Sequence, residues 1–302
     1  MVKMTNNMNI MKSGFVAIIG RPNVGKSTLL NSLIGEKVSI ISPKPQTTRW
    51  QIFGIKTLEA AQIIYIDTPG MHQEEKKAMN RYMNRIADSV LQDADVIVFM
   101  IDATSWRNED EAVLKKLQSS DRPVILAINK IDLLADKAAL LPLINKLQAK
   151  YDFTHIIPIA AIDADNTNHL QDEIIKLLPE GPQMYPEDQV TDKTLRFQVA
   201  EIIREKIILA TEEELPYSTS VEIEQFNEEE KLTEISALIW VERQGQKVIV
   251  IGKKGDRLKR IGTQARRDIE KLLGRKVFLR LWVKVKDNWS DDDKALRGLG
   301  YE

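Results

Sequence analysis

Apolar residues fall in short continuous runs through the first half of the chain, and in alternating or helically spaced positions through the second. The runs 15–20 (FVAIIG), 61–66 (AQIIYI), 95–101 (DVIVFMI), 123–128 (PVILAI) and 155–160 (HIIPIA) are rich in β-branched residues. Such unbroken apolar stretches predict strands buried on both faces of a parallel sheet. Between them, 26–34, 79–92, 108–119, 137–151 and 170–178 read as helices. Strand followed by helix, repeated, predicts a doubly wound α/β domain with its ligand outside the carboxyl ends of the strands.

The pattern then changes. Pro179, Gly181, Pro182 and Pro186 punctuate 179–194, which has no apolar period and reads as a linker. Beyond it come an amphipathic helix at 195–210, an alternating strand at 218–225 with Val221 and Ile223 on one face, and a strand at 231–243. A basic helix at 256–273 and a last strand at 276–286 follow. The β-branched residues of 248–251 also read as strand by propensity. The expected organisation is a tail at 1–13, the α/β domain at 14–178, the linker, a smaller α+β domain at 195–290 and a tail at 291–302.

Length agrees, since 302 residues suit two domains that each bury a core. The chain has no cysteine, which excludes disulfides, thiolate metal sites and cysteine nucleophiles. His72, His155 and His169 are too dispersed for a histidine cage. No leader-like segment and no run near the ~20 apolar residues of a membrane span is present, so a cytoplasmic chain is expected. A net charge of −1 hides a division: 240–286 holds 15 Lys or Arg against four acids, leaving the remainder strongly acidic. The basic half is a candidate nucleic-acid module.

Three motifs follow predicted strands, in one order. Gly20, Arg21, Pro22, Asn23, Val24, Gly25, Lys26 and Ser27 match G-x-x-x-x-G-K-[ST], and Thr28 comes next on the helix. In this pattern backbone N–H groups cradle phosphates, the lysine adds a point charge, and the hydroxyl of Ser27 can ligate Mg2+. Asp67, Thr68, Pro69 and Gly70 form DTPG, with Asp67 suited to a magnesium-bound water and the Gly70 N–H to a γ-phosphate. Asn129, Lys130, Ile131 and Asp132 form NKID, whose terminal carboxylate can accept from guanine N1–H and the N2 amine, a donor pair adenine lacks. A further magnesium hydroxyl is expected within 43–49 (PKPQTTR), where Thr47 and Thr48 are both candidates.

In the basic half, Gly252-Lys253-Lys254-Gly255 places two cations between two glycines, and Arg257, Lys259 and Arg260 follow at once. This is the GXXG pattern of a KH domain, which clamps about four single-stranded nucleotides.

By these motifs, and by segments such as 213–218 (EELPYS) and 287–302, the chain resembles the Era family of GTPases over nearly its whole length. The resemblance implies a P-loop GTPase domain followed by a KH domain. It implies a GTP-hydrolysing, GTP/GDP-switched assembly factor that binds the 3′ end of small-subunit ribosomal RNA on the small ribosomal subunit. It also implies a monomer in the cytoplasm, with peripheral association at the inner membrane face as an additional location. Within it, Lys26, Asn23, Thr48 and Gly70 carry catalysis, Ser27, Thr48 and Asp67 hold Mg2+, and Thr48 is favoured over Thr47. Asn23 matches the asparagine that supports K+ in similar GTPases, making K+ a candidate second cation. Two departures stand out. Ala160-Ala161 replaces the family's Ser-Ala, with the Ala161 N–H expected to meet guanine O6, and Met71 stands where many GTPases place a water-orienting glutamine. The KH resemblance also implies a helix, not a strand, before Gly252. Trp289 is expected as a packing anchor and Lys294, Leu296 and Leu299 as part of a terminal helix. A scaffold with a purely structural nucleotide site is the competing reading; a tRNA-modification GTPase is disfavoured by the GXXG loop.

Overall fold

The computed structural model describes residues 10–44, 47–70, 78–211, 219–298 and 301. Two compact units divide the chain: the first extends to Asp192, and the second runs from Lys193 and also takes in Ile40–Thr47 and, up to Tyr82, the start of the helix at Ala78–Asp93.

The first unit runs β1 (Met11–Ile19), α1 (Lys26–Ile34), β2 (Ile52–Thr57), β3 (Ala61–Asp67), α2 (Ala78–Asp93), β4 (Val96–Asp102), α3 (Asn108–Leu117), β5 (Val124–Asn129), α4 (Leu140–Gln148), β6 (His155–Pro158), α5 (Thr167–Leu177) and β7 (Glu180–Gly181). The strand order is β2-β3-β1-β4-β5-β6. β3, β1, β4, β5 and β6 are parallel. β3 and β4 are buried at every position, as continuous apolar runs require when helices cover both faces. Ala87 and Val90 of α2, Val113, Leu114 and Leu117 of α3 and Leu147 of α4 close over Ala17, Phe99 and Leu126. Leu29, Leu30 and Leu33 of α1 and Leu170 and Ile174 of α5 bury a second layer. The strand order reverses at β1, flanked by β3 on one side and β4 on the other, and the crevice at its carboxyl end is the expected ligand position.

Three sequence expectations differ from this unit. β2 was not anticipated, because Gly54 and Lys56 interrupt its apolar residues; it pairs antiparallel with β3. The helix expected from 137 begins with a 3-10 turn, Lys137–Ala139, whose cap is Asp136 accepting from the Ala138 N–H, and α4 starts only at Leu140. The segment 179–192 is not a free linker. β7 pairs with β1, the Ile55 N–H donates to the Val190 carbonyl, and the Phe53 N–H donates to Asp192 Oδ1. Gln62, fully buried in β3, accepts from the Met184 and Tyr185 amides and donates to the Tyr185 carbonyl. A stretch without periodicity thus gains order from partners that belong to distant strands.

The second unit holds α6 (Leu195–Ala210), β8 (Ser220–Glu228), β9 (Leu232–Val241), α7 (Gln244–Ile251), α8 (Asp256–Leu273), β10 (Lys276–Val285) and α9 (Asp293–Gly298). Its sheet has the order β10-β9-β8, with β8 antiparallel and β10 parallel to β9. Val199, Ile203 and Ile207 of α6, Val250 of α7, and Ile261, Ala265 and Ile269 of α8 pack on Ile235, Ala237, Ile239 and Val283 of the sheet. The β-branched stretch 248–251 is helical, against its propensity. Gln246 Oε1 caps the helix start by accepting from the Glu242 and Arg243 amides, and Val250 is fully buried, so tertiary packing wins. Trp289 is fully buried and stacked on Tyr301, with ring centroids 6.2 Å apart. Leu296 is buried in α9, while Leu299 lies outside the described residues. Among the described residues no helix is long and apolar enough to cross a membrane.

Candidate functional site

The phosphate-loop sequence leaves β1 and enters α1. Gly25 is left-handed (φ 104°), and a Cβ there would lie 2.4 Å from Asn129 Nδ2, so only glycine fits both the turn and its neighbour. Lys26 is buried under the loop and its Nζ donates to the carbonyls of Gly20 and Arg21, each at 2.9 Å. Burial pushes the Lys26 ammonium down to about 8, and neighbouring Arg21 adds to the fall while Asp67 and Asp110 oppose it.

Ser27, Thr48 and Asp67 converge. Ser27 Oγ donates to Asp67 Oδ2 at 2.7 Å and lies 2.9 Å from Thr48 Oγ1, which is itself 3.4 Å from the same carboxylate oxygen. Asp67 is fully buried, and its Oδ1 has no hydrogen-bond partner among the described residues. Burial raises the carboxyl pKa, outweighing the Ser27, Ser39 and Thr48 hydrogen bonds and the charge of Lys26. Two hydroxyls beside a half-satisfied buried carboxylate form the oxygen donor set that a hard divalent cation takes. Thr47 Oγ1, by contrast, is engaged by Ser42 Oγ and the Lys44 carbonyl, both at 2.6 Å. Gly70 is buried beside Pro22, whereas Met71 and His72 lie outside the described residues.

The NKID motif serves two purposes. Asn129 is buried and joins three segments: its Nδ2 donates to the Val24 carbonyl at 2.8 Å, and its Oδ1 accepts from the Ala161 N–H at 2.9 Å. The Ala161 amide, expected to face guanine O6, is therefore spent on Asn129. Lys130 donates to the Asn23 carbonyl and to Asp102 Oδ2, at 2.9 and 2.8 Å. Asp132 stands exposed in a 3-10 turn, and its carboxylate makes no ion pair with a described residue. Asn23 is exposed with φ 64°, held by its carbonyl rather than its side chain in that contact.

Arg21 does not face the phosphate position. Its guanidinium is buried, donating from Nε to Asp110 Oδ2 at 3.0 Å and from Nη2 to Ser105, so it anchors the loop to the start of α3. Pro22 and Thr28 are half-buried in the loop and the first turn of α1. Three supporting residues escaped sequence reading. Ser39 Oγ donates to Asp67 Oδ2 at 2.9 Å, and Asn31 Oδ1 accepts from the Val38 and Ser39 amides, which positions that hydroxyl. Asp102 ends β4 in register with Asn129 and receives Lys130. Burial raises the Asp102 pKa, but hydrogen bonds from Lys130 and Thr104 win and leave it lowered. Ser39 had no motif to mark it, while Asp102 could have been found as the polar residue closing a buried strand.

In the second unit, α7 ends at Gly252 (φ 72°), where a Cβ would meet Arg257 Cβ at 2.6 Å. Lys253 and Lys254 then stand exposed before α8 begins. Lys259 is exposed on α8. Arg257 is half-buried and donates from Nη1 to the Ile249 carbonyl at 2.7 Å, so it pins the end of α7 instead of offering a free cation. Arg260 lines a groove of about 900 Å³ between α6 and α8, with Lys206, Arg267 and Lys271.

Comparison with known proteins agrees with both halves. Residues 15–130 match the family described as 50S ribosome-binding GTPase, and residues 214–290 match the KH domain family. A GTPase Era from Haemophilus influenzae (strain PittGG) is 54% identical over 299 residues, 99% of each chain. GTPase Era from Marinobacter nauticus is 54% identical over 289 residues, 96% of this chain and 95% of its own. Among solved structures, Era in complex with MgGDPNP and nucleotides 1506–1542 of 16S ribosomal RNA is 46% identical, with a TM-score of 0.94 over 96% of this chain and 99% of that one. Aquifex aeolicus Era bound to GDP.AlF4- has a TM-score of 0.92 at the same identity and coverage.

Proposed function

The chain belongs to the Era family of GTPases, and on that premise we propose that it is a GTP-hydrolysing switch that binds the 3′ end of small-subunit ribosomal RNA and assists maturation of the small ribosomal subunit. The single observation that carries the nucleotide half is the convergence of Ser27, Thr48 and Asp67 oxygens beside the Lys26 loop. The first-unit family is described by the large subunit, yet the relative alike over both units holds 16S ribosomal RNA, and whole-chain likeness is the more specific guide.

Each residue then has a task. Backbone N–H groups of the loop, Pro22 excepted, cradle the phosphates between Gly20 and Ser27, and Thr28 continues that first turn. Lys26 leaves the Gly20 and Arg21 carbonyls for the β/γ-phosphate oxygens, and an anion there further favours its ammonium form. Ser27, Thr48 and Asp67 would hold Mg2+. That ion supplies neutralisation of the phosphate charge when bound. The Gly70 amide meets the γ-phosphate and follows its departure. Asp132 selects guanine by accepting from N1–H and N2, while Asn129, Lys130 and Ala160-Ala161 form the wall that positions it. With an apolar residue at Met71, alignment of the attacking water falls to the loop, and Asn23 supports K+ as the additional charge. Lys253 and Lys254, with Lys259 and Arg260 behind them, neutralise the RNA backbone at the GXXG turn. A ribosomal RNA ligand fits a cytoplasmic site of action.

A structural nucleotide site without turnover is the weaker reading, because Lys26, Thr48 and Asp67 are all in place. Phosphate release measured with and without ribosomal RNA 3′-end oligonucleotide separates the two. Slow intrinsic release is expected, with RNA affinity sharply reduced in Lys253→Asp/Lys254→Asp and GTP affinity retained. Absence of any release above buffer, or undiminished RNA affinity in that variant, would overturn the proposal.

A further inference from the structure

The outward face of the second unit's sheet is built unlike an ordinary solvated face. Along β10 the side chains alternate: Val277, Leu279, Leu281 and Val283 turn toward the helices, which leaves Phe278, Arg280, Trp282 and Lys284 on the opposite side. Phe278 and Trp282 are each 45% exposed, although large apolar rings are normally removed from water. Same-face neighbours on a strand lie about 6.6 Å apart, so an aromatic ring and a cation follow one another at that interval. The Arg280 guanidinium lies 4.7 Å from the Phe278 ring centroid. On the adjoining strand Trp240, in register with Lys284, has the ammonium groups of Lys284 and Lys286 each 5.9 Å from its ring. Its indole N–H donates to Glu222 Oε2 at 2.9 Å, which fixes the ring on the sheet.

Charge on this face is sorted by strand. Glu222 and Glu234 lie on β8 and β9, whereas the cations of β10 and its exit, Lys276, Arg280 and Lys286, have no ion-pair partner among the described residues. Lys284 has only a long contact with Glu224, at 3.9 Å. An apolar protein partner would leave that row of cations desolvated and unpaired, at a cost in affinity. A polyanion carrying planar groups satisfies both features at once, since stacking on rings tolerates any base and cations track the backbone.

We propose that this face is a second RNA-binding surface, a stacking platform for unpaired nucleotides running along β10, separate from the GXXG turn on the helical side of the same sheet. The proposal does not depend on the Lys253–Lys254 reading. RNA engaged at both surfaces gains by effective concentration, so weak stacking on the platform raises the affinity of a strand already held by the loop.

The test uses the full chain and a single-stranded oligouridylate, with affinity read by fluorescence anisotropy at low salt. Phe278→Ser/Trp282→Ser should weaken binding roughly 10-fold or more in the wild-type background, and remove the residual binding of Lys253→Asp/Lys254→Asp. Trp282→Phe, which keeps a ring, should retain affinity where Trp282→Ser does not, and unchanged thermal melting separates this from misfolding. Equal affinities for wild type and the double serine variant would overturn the proposal. So would a serine effect seen only while Lys253 and Lys254 are present, which makes the face a support for the loop. Self-association by sedimentation, lost in the serine variant with RNA affinity unchanged, would assign the face to a second copy and overturn it likewise.

Discussion

Asn129 donates from Nδ2 to the Val24 carbonyl at 2.8 Å, a bond that spans 105 residues and fastens the base-reading motif to the phosphate loop. Its other end holds Ala161. The NKID segment, the phosphate-loop sequence and Ala161 are therefore tied together through one buried amide side chain. Asn129→Ala should lower GDP affinity about 100-fold, through two lost bonds and orphaned buried partners. Gly25→Ala, whose methyl would displace the same Nδ2, should produce a similar loss. Titration with a fluorescent GDP analogue checks both; wild-type affinity in either would show the link to be dispensable.

Asp132 differs from Asn129 in being exposed and in making no ion pair with a described residue. If the proposed guanine contact holds, Asp132→Asn should leave stability intact while exchanging GTP preference for xanthosine triphosphate, whose O2 accepts what the amide donates. A loss of about 100-fold in GTP affinity is expected, as for a charge-assisted pair. Competition binding between the two nucleotides decides it, and unchanged GTP preference would count against Asp132 as the selector.

Cation dependence is the sharpest question about turnover. With Met71 in place of a water-orienting side chain, K+ held by Asn23 should accelerate phosphate release relative to Na+ at equal ionic strength, and Asn23→Ala should erase the difference. Equal rates in the two salts would remove K+ from the mechanism.

Tyr65 offers a pH test of stability that needs no nucleotide. The side chain is fully buried in β3, its hydroxyl has no partner among the described residues, and burial pushes its pKa far up. In the unfolded chain the phenol ionises near pH ~10, while in the folded chain it stays protonated. The unfolded state then binds fewer protons, so stability falls above pH ~10 by about 1.4 kcal/mol per pH unit. Tyr65→Phe should flatten that alkaline loss and add about 1 kcal/mol at neutral pH by removing an unsatisfied hydroxyl. Denaturant unfolding at neutral and alkaline pH measures both, and parallel slopes for the two proteins would contradict the assignment.

Much of the fold was legible because the local pattern and the tertiary environment agree. Residues 61–66 and 95–101 are apolar at nearly every position because both of their faces are covered, α1 and α8 begin and end at glycines, and α6 begins at the Thr194 cap. What remained hidden was set by distant partners. β2 exists because β3 offers it an edge, and residues 179–192 are ordered by Gln62, Phe53 and Ile55. The same holds in the sites. Motif spacing singled out Ser27, Asp67 and Asp132, yet it could not reveal that Arg21 turns to Asp110, Arg257 to the Ile249 carbonyl and the Ala161 amide to Asn129. Each is a polar group diverted inward by burial, which composition and spacing do not encode.

The parallel pairing of β10 with β9 has a consequence for how the protein is made. Ten residues from Lys276 to Val285 must find Leu232 to Val241, and a two-stranded β8–β9 hairpin is marginal on its own. Because loop closure precedes reward in such non-local pairings, the module with the GXXG turn cannot be completed until Val285 has emerged from the ribosome that synthesises it. The GTPase fold, finished earlier in the chain, has that interval in which to load nucleotide before any transcript can be gripped.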